Sequence, residues 1–286
     1  MASISTCRVP ERLPVPNYVI NLARSSQRRA HMEAQLEKAR APYEIVTAVD
    51  ARDLDLSDVD LVAPHVLDRS SFRPGAVGCA LSHLLVYRTV LESGFDRALV
   101  LEDDLLLPPD LAELTGGVAE EMSGAEVVLL NFHGDGRVQL MREGSRSVPS
   151  SRVLAHPVGL HGLTSAGAYL ITSEACARMI EIALPVRAHP DDWEFFVREQ
   201  ALDRVRCVVP MAVTNSPKFR TTIDFHEPGS WQFRVRDRVS RMRAPLLQRV
   251  LAARRLREYD KRGWAGRAEL VDLPCSLSPG QLSSLG

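Results

Sequence analysis

Short apolar runs alternate with segments of helical period along the first part of the chain. The run Tyr18–Leu22 predicts a buried strand, and apolar residues recur at helical spacing within Gln27–Arg40. A second apolar run, Tyr43–Val49, predicts another strand. Strand, helix and strand at this spacing form a βαβ unit, which favours a parallel sheet with a right-handed crossover.

The same alternation continues through the middle of the chain. Apolar residues on one face predict a helix that opens at Pro74 and ends at Gly94, a residue suited to a left-handed C-cap. The run Arg97–Leu101 predicts a strand that is buried on both faces. A helix from Pro109 and a further strand over Glu126–Asn131 extend the α/β pattern.

The second half of the chain predicts one more helix pair and a last strand. Arg137–Ser151 is typical of an exposed loop or a hairpin, and Ser173 is expected to cap the helix that follows it. Asp191 is expected to cap the next helix, which leaves the neighbouring Asp192 without that role. The run Val205–Pro210 predicts the final strand.

The composition is that of an ordinary soluble globular protein. Of 286 residues, 45% are hydrophobic and 25% are charged, and a net charge of −1 gives no reason to expect a nucleic-acid partner. The five cysteines form no C-x-x-C pair, which argues against a zinc ribbon or a disulfide framework. No apolar run approaches the roughly 18 residues of a membrane span, and residues 1–16 lack the apolar core of a signal peptide. We therefore expect a cytoplasmic protein.

The chain is expected to divide into three parts: a flexible leader over 1–16, a main domain over 17–230 and a basic extension over 231–286. In the extension, arginines and lysines interleave with apolar residues such as Trp231 and Phe233. This pattern is typical of an amphipathic helix on anionic lipid, which would place the protein peripherally at the inner membrane face. It also fits a packed helix with a solvated basic face, and both interpretations remain open.

Three carboxylates directly follow the predicted strand Arg97–Leu101, namely Glu102, Asp103 and Asp104. Packing alone cannot neutralise them, because each unpaired buried charge is costly, and ligands of open α/β sheets gather at the carboxyl ends of strands. If the strand continues, Glu102 and Asp104 share a side, where they can bind Mg²⁺ or Mn²⁺ together with a nucleotide diphosphate. The alternative is an acidic turn in contact with solvent.

Basic residues occupy the start of the first predicted helix, at Arg24, Arg28 and Arg29. Cations there oppose the helix dipole, so their position favours an anion site such as one for a diphosphate, although plain solvent exposure would also explain it. The Walker A, kinase glycine-rich and G-x-G-x-x-G motifs are missing, which argues against the commonest phosphoryl-transfer and dinucleotide-binding families. Glycosyl and phosphoryl transfer both stay open from these residues alone.

The helix that opens at Pro74 carries unusual residues. Gly75 and Gly78 indicate a close approach of the backbone, either to another part of the chain or to a ligand. Ser82 and His83 interrupt an otherwise apolar stretch. A single histidine in a helix is more often structural than catalytic, so these residues do not define a site by themselves.

Six short motifs follow one another in a characteristic order. They are Val19–Leu22 with Arg28-Arg29, Ala48–Asp50, Gly75–His83, Leu99–Asp104, Gly167–Ile171 and Asp192-Trp193. This ordered set resembles glycosyltransferase family 25, which includes bacterial lipooligosaccharide galactosyltransferases and the collagen galactosyltransferases. The resemblance covers Asn17–Ile223.

The resemblance implies a GT-A type α/β/α sandwich with a Rossmann-like nucleotide-binding half and a mixed, mainly parallel sheet. It also implies a UDP-sugar donor, usually UDP-galactose, a Mn²⁺ (or Mg²⁺) ion and inversion at the anomeric carbon. Asp104 corresponds to the surest metal ligand, with Glu102 assisting and Asp103 nearer to the ribose. The other residues expected to line or support the donor site are Asn21, Leu22, Arg24, Arg28, Asp50, Gly78, Ser82 and His83.

Inversion in one displacement needs a base that takes the proton of the acceptor hydroxyl. Asp192 is the predicted base, by its place in the matched Asp-Trp block and because Asp191 suffices as the cap; Asp191 and Glu194 are the substitutes. The expected reaction moves galactose from UDP-galactose to a glycan, such as a lipooligosaccharide or surface polysaccharide precursor, in a β linkage. The alternatives are another UDP-sugar, a peptide or natural-product acceptor, or a non-catalytic pseudo-enzyme that binds a nucleotide or glycan.

Overall fold

The computed structural model describes residues 15–58, 61–63, 73–133, 137–219 and 270–274. Five α-helices lie in these ranges: α1 Ser26–Lys38, α2 Pro74–Ser93, α3 Leu111–Glu120, α4 Ser173–Ala183 and α5 Trp193–Arg198. The strands there are β1 Asn17–Asn21, β2 Tyr43–Thr47, β3 Arg97–Glu102, β4 Leu105–Leu106, β5 Glu126–Leu129, β6 Arg137–Val148, β7 Arg152–Pro157, β8 Ala168–Thr172, β9 Arg204–Val209, β10 Thr214–Asn215 and β11 Leu270–Pro274.

Nine of these strands form one mixed sheet in the order β11-β6-β7-β9-β5-β8-β3-β1-β2. The pairs β2–β1, β1–β3 and β5–β9 are parallel, while β8 runs antiparallel between β3 and β5. At one side of the sheet, β7, β6 and β11 add successive antiparallel pairs. Six of the nine strands (β1, β2, β3, β5, β6 and β9) therefore point the same way, as the resemblance implied.

Helices cover both faces of the sheet and form two cores. Val19 on β1 packs in a core with Met32 of α1 and Leu114 of α3, whereas its neighbours Tyr18 and Ile20 face the core that contains α2 and α4. The alternation follows from the period of two along a strand, which sends successive side chains to opposite faces. The arrangement is the three-layer α/β/α sandwich that the resemblance implied.

Several predicted element ends are confirmed, but the predicted cap of α4 is wrong, and β9 is not the final strand, because β10 and β11 follow it. Gly94 has a φ of 73° and ends α2, and the segment from Arg137 forms the hairpin β6–β7. Ser173, however, does not cap α4. The capping side chain is that of Thr172, whose hydroxyl accepts from the backbone N–H of Ala175 at 3.2 Å. The reason is that β8 runs directly into α4, so its last residue, which is still extended, occupies the N-cap position.

Parts of the predicted domain organisation lie outside the described residues. This holds for residues 1–14 of the predicted leader and, apart from β11, for the whole basic extension 231–286. The three-part division of the chain therefore stays a prediction. Within the described ranges, none of the helices combines the length and the apolar character that a membrane crossing requires.

Candidate active site

The sheet brings three of the predicted residues to one edge. Strands β1 and β3 are parallel neighbours in which Ile20 pairs with Glu102, so Asn21 and Asp103 follow at the same level. Strand β2 runs parallel to β1 on its other side and is followed by Asp50. The carboxyl ends of three parallel strands thus meet where α/β proteins place their ligands.

Asp103 is buried and holds this edge together. Asn21 Nδ2 donates to Asp103 Oδ2 at 2.7 Å, and Arg28 Nη1 donates to Asp103 Oδ1 at 2.5 Å. Burial raises the pKa of Asp103, while the Arg28 guanidinium and the Asn21 amide act to lower it. Both carboxylate oxygens are occupied, so Asp103 joins β1 and α1 to the end of β3. Arg28, predicted to bind an anion of the ligand, is paired with an acid of the chain itself.

One carboxylate oxygen of Asp104 has no partner among the described residues. Its Oδ2 lies 3.3 Å from Arg28 Nη2, and its backbone carbonyl accepts from Ser216 N at 2.7 Å. Its Oδ1 is buried and finds no hydrogen-bond partner among the described residues. Burial, followed by the negative charge of Glu102, raises the pKa of Asp104 to about 6, although Arg28 opposes the shift. A buried acceptor left in this state is costly, and a bound cation would satisfy it.

Glu102 completes a pair of carboxylates with Asp104, although the strand does not continue through both residues as the sequence suggested: β3 ends at Glu102, and Asp103 and Asp104 lie in a turn. The Glu102 side chain is 32% exposed, and its Oε1 lies 3.7 Å from His83 Nε2. The charge of Glu102 is the second cause of the raised pKa of Asp104, so the two charges repel each other. Mn²⁺ and Mg²⁺ bind carboxylate oxygens. The unpartnered oxygen of Asp104 and the accessible carboxylate of Glu102 fit such an ion, whereas each oxygen of Asp103 already accepts a hydrogen bond from Asn21 or Arg28.

Arg24 and Asp50 lie at the outer side of the same edge. Arg24 Nη1 donates to Asp50 Oδ2, and Arg52 Nη2 donates to the same oxygen at 2.7 Å. These contacts join the loop after β1 to the loop after β2. Leu22 is half-buried in the first of these loops, where its carbonyl accepts from Ser25 N at 2.7 Å.

Gly78 and Ser82 of α2 contact the loop after β2. Ser82 Oγ donates to the carbonyl of Gly78 at 2.6 Å and accepts from Val49 N at 2.8 Å. A Cβ atom on Gly78 would lie 2.8 Å from the carbonyl oxygen of Val49, so only glycine allows α2 to pack this closely. The close approach indicated by this glycine is therefore to the chain itself, next to Asp50.

His83 is buried between a tyrosine and Glu102. Its Nδ1 lies 2.8 Å from Tyr169 Oη, which in turn lies 2.8 Å from Tyr87 Oη. Its Nε2 is buried without a hydrogen-bond partner among the described residues. Cys79 lies one helical turn earlier, and its sulfur, a His83 nitrogen and a Glu102 oxygen are all within 4.8 Å of one another. The sequence interpretation gave no role to Cys79 or Tyr169, although the Cys79–His83 spacing of four residues could have indicated a shared helix face.

The structure reverses the predicted capping roles: Asp192, and not Asp191, caps α5. Asp192 is the N-cap of α5 and its Oδ1 accepts from Phe195 N at 3.1 Å. Asp191 instead accepts from Ser165 N at 2.9 Å through its Oδ2. The helix begins at Trp193, so only the carboxylate of the preceding residue reaches the third N–H of the helix. Asp192 is therefore not left without a capping role, contrary to the prediction, and its assignment as base depends on the matched motif alone.

A polar cluster near the acids was not foreseen. Ser165 Oγ donates to Asn131 Oδ1 at 2.5 Å, and Asn131 Nδ2 donates to the carbonyl of Val213 at 3.0 Å. A Cβ on Gly167 would lie 3.0 Å from Asn131 Oδ1, and the carbonyl of Gly167 accepts from Glu102 N at 2.8 Å. The cluster therefore positions the backbone around Glu102. Its members come from distant parts of the chain, so no local pattern indicated it.

Comparison with known proteins matches the sequence to a family. The model of Glycosyltransferase family 25 (LPS biosynthesis protein) matches residues 15–193. Procollagen galactosyltransferase 1 of Danio rerio is 31% identical over 140 residues, which cover 46% of this chain and 23% of that protein. Inactive glycosyltransferase 25 family member 3 of Mus musculus is 37% identical over 117 residues, which cover 37% of this chain and 20% of that protein.

A bacterial protein matches over a larger share of its length. A candidate glycosyltransferase of Haemophilus influenzae is 25% identical over 170 residues, which cover 58% of this chain and 57% of that protein. The chain thus matches about a fifth of the length of the two animal relatives and 57% of the bacterial one. The family model, in contrast, matches residues 15–193, which is more than half of this chain. The chain belongs to glycosyltransferase family 25.

Proposed function

We propose that the protein is a metal-dependent, inverting glycosyltransferase that moves galactose from UDP-galactose to a hydroxyl of a glycan in a β linkage. The observation that carries the proposal is the acidic end of β3, where a buried oxygen of Asp104 has no partner among the described residues beside the accessible carboxylate of Glu102. Membership of the family supports glycosyl transfer. The choice of galactose is supported by relatives named as galactosyltransferases.

Glu102 and Asp104 would hold Mn²⁺ or Mg²⁺. Such an ion supplies positive charge that stabilises a diphosphate leaving group. Asp103 contributes indirectly, because its bonds to Asn21 and Arg28 fix the backbone between the two ligands. The resemblance places Asp103 nearer to the ribose than the two ligands, and an indirect role beside the metal is compatible with that expectation.

The arginine that contacts the diphosphate is Arg24 rather than Arg28. The Arg28 pair with Asp103 is buried, so moving the guanidinium would leave a buried charge without its partner. The Arg24 side chain is 43% exposed, and an exposed ion pair such as that with Asp50 is worth little. When the donor binds, Arg24 can therefore leave Asp50 and pair with the diphosphate, which carries more negative charge. Asn21, Leu22 and Asp50 lie around the nucleotide.

Asp192 takes the proton in the transfer step. The acceptor oxygen attacks the anomeric carbon, the bond from that carbon to the diphosphate oxygen breaks, UDP leaves, and the hydroxyl proton passes to Asp192. The side chain is exposed, and its cap uses one oxygen of a carboxylate that has two. The substitutes are more constrained, because Asp191 is half-buried on Ser165 and Glu194 lies 3.2 Å from His161.

The proposed acceptor is a lipooligosaccharide or surface polysaccharide precursor at the cytoplasmic side of a membrane. The basic extension 231–286, which lies outside the described residues apart from β11, is the segment that would contact anionic lipid. Co-sedimentation of the full chain with anionic and with neutral vesicles tests this contact. Binding to anionic vesicles that is lost at high salt supports it, and equal binding to both contradicts it.

A second candidate is a non-catalytic protein that binds a nucleotide or a glycan. The observation in its favour is the match to a mouse relative described as inactive. Against it, Glu102, Asp104 and Asp192 are all present. A screen of UDP-galactose, UDP-glucose and N-acetylhexosamine donors against glycan and peptide acceptors, with mass analysis of the products, separates these alternatives. A β-galactosylated glycan supports the proposal. A product with another sugar or on another acceptor contradicts the proposed donor or acceptor, and UDP binding without any product favours the second candidate.

A further inference from the structure

Three potential metal ligands of different chemistry meet between α2 and β3. Cys79 and His83 lie one turn apart on the same face of α2, and Glu102 ends the strand opposite them. Their ligand atoms are within 4.8 Å of one another, and His83 Nε2 lies 3.7 Å from Glu102 Oε1. Ligands bound to tetrahedral Zn²⁺ at about 2.0–2.3 Å lie roughly 3.3–3.8 Å apart. A small inward movement is therefore enough to place all three around one ion.

The imidazole of His83 provides an independent sign of a missing ligand. The side chain is only 1% exposed, yet its Nε2 has no hydrogen-bond partner among the described residues. In the tautomer that carries the proton on Nδ1, that proton is donated to Tyr169 Oη at 2.8 Å, and Nε2 offers a lone pair towards Glu102. Metal-binding histidines are usually oriented in this way, by a hydrogen bond from the second ring nitrogen.

We propose that Cys79, His83 and Glu102 form a binding site for a thiophilic divalent cation such as Zn²⁺. A thiolate and an imidazole select Zn²⁺ or Co²⁺ over Mg²⁺ and Mn²⁺, which prefer oxygen ligands. Three protein ligands leave a fourth position for water or another small ligand. On binding, the Cys79 thiol loses its proton to solvent and a sulfur–metal bond forms. The site shares Glu102 with the carboxylate pair of the proposed function, but its existence does not rest on that function.

Co²⁺ is a suitable probe, because a thiolate bound to Co²⁺ gives a charge-transfer absorption band that carboxylate and imidazole ligands do not give. The purified, metal-free full chain is titrated with Co²⁺ in the absence of nucleotide. We expect one Co²⁺ per chain with this band, and loss of the band when Zn²⁺ is added. Cys79→Ser removes the band and weakens Co²⁺ binding at least about tenfold, whereas the control Cys176→Ala, a change at a cysteine buried in the core, retains both.

Tyr169→Phe separates ligand orientation from folding. It removes the partner of His83 Nδ1 and should weaken Co²⁺ binding by about 10–100-fold while the thiolate band remains at saturation. No thiolate band in the folded wild-type protein would overturn the proposal, and so would a band that survives Cys79→Ser. The Co²⁺ titration is independent of turnover. If the band is present but no UDP is released, only the proposed transferase activity is contradicted. If UDP is released but the band is absent, only the proposed Cys79–His83–Glu102 site is contradicted.

Discussion

Arg28 and Asp103 form a buried ion pair that joins helix α1 to the end of β3, with Nη1 of Arg28 at 2.5 Å from Oδ1 of Asp103. The same guanidinium lies 3.3 Å from Asp104. It therefore compensates the charges of two adjacent acids in a region where water is largely excluded. Among the described residues, Arg28 is the cation paired with both acids, and the Asn21 amide adds a hydrogen bond to Asp103.

Arg28→Ala should lower the free energy of unfolding by about 3–5 kcal/mol, because it leaves a buried carboxylate without its partner. Urea unfolding of the metal-free protein measures the change. The matched control is Arg29→Ala on the same helix, whose side chain is 53% exposed and pairs with Glu33. An exposed pair of this kind is worth less than about 1 kcal/mol. Equal losses for the two variants would show that the buried pair has no special role.

Gly78→Ala should destabilise the protein by about 1–3 kcal/mol, since the new Cβ would lie 2.8 Å from the carbonyl oxygen of Val49. The loop that carries Asp50 must then move away from α2. Gly116→Ala in α3 is the control, because its Cβ meets no atom within 4 Å. That variant should gain about 0.5–1 kcal/mol from helix propensity. Thermal unfolding of both variants gives the comparison, and a gain at Gly78 would contradict the close contact.

Asp104→Asn should stabilise the metal-free protein at neutral pH. The folded state raises the pKa of Asp104 from 3.8 to about 6, so it binds this proton more tightly than the unfolded state does. Ionisation of Asp104 therefore costs stability as the pH rises from 3.8 to about 6, and asparagine avoids that cost. We expect a Tm roughly 2–4 °C above the wild type at pH 7, and a smaller difference below pH 4. A lower Tm for the variant at pH 7 would be inconsistent with the raised pKa.

Asp192→Asn separates the two roles assigned to that residue. Asparagine caps helices about as well as aspartate, so the stability of α5 should be retained, but an amide cannot accept the proton. Turnover should fall by about 10²–10⁴-fold with little change in donor affinity. Asp192→Ala should also lose about 1 kcal/mol from the cap. Near-normal turnover in Asp192→Asn would remove this residue as the base, and Asp191→Asn and Glu194→Gln would be the next variants to assay.

The fold and the location of the acids were predictable from local patterns. A buried strand over Arg97–Leu101 that is followed by three acids, and a helix that ends at Gly94, depend on neighbouring residues only. The structure confirms both, and the strand extends by one residue to Glu102. The cap of α5 was assigned to the wrong aspartate, because either of two adjacent acids can be the cap and the first residue of the helix decides which one it is. That point is set by backbone angles, and the same geometry turns Asp191 towards Ser165.

The partners of the functional side chains were not predictable in the same way. Arg28 was predicted either to contribute to an anion site or to project into solvent, and its partner in the structure is Asp103, 75 positions later in the chain. The contact of His83 with Tyr169 spans 86 positions. Such contacts follow from the order of strands in the sheet, which no single segment specifies.

The central claim is that Glu102 and Asp104 hold the cation of a UDP-galactose-dependent transfer. The most direct measurement is Mn²⁺-dependent release of UDP from UDP-galactose by the wild type, by Asp104→Asn and by the exposed-acid control Glu174→Gln. We predict that the wild type and the control both release UDP and that chelation of the metal abolishes this release. The rate of release should fall at least about 100-fold in Asp104→Asn. Unchanged release by folded Asp104→Asn, or no release from any donor by a wild type that binds UDP, would contradict the claim.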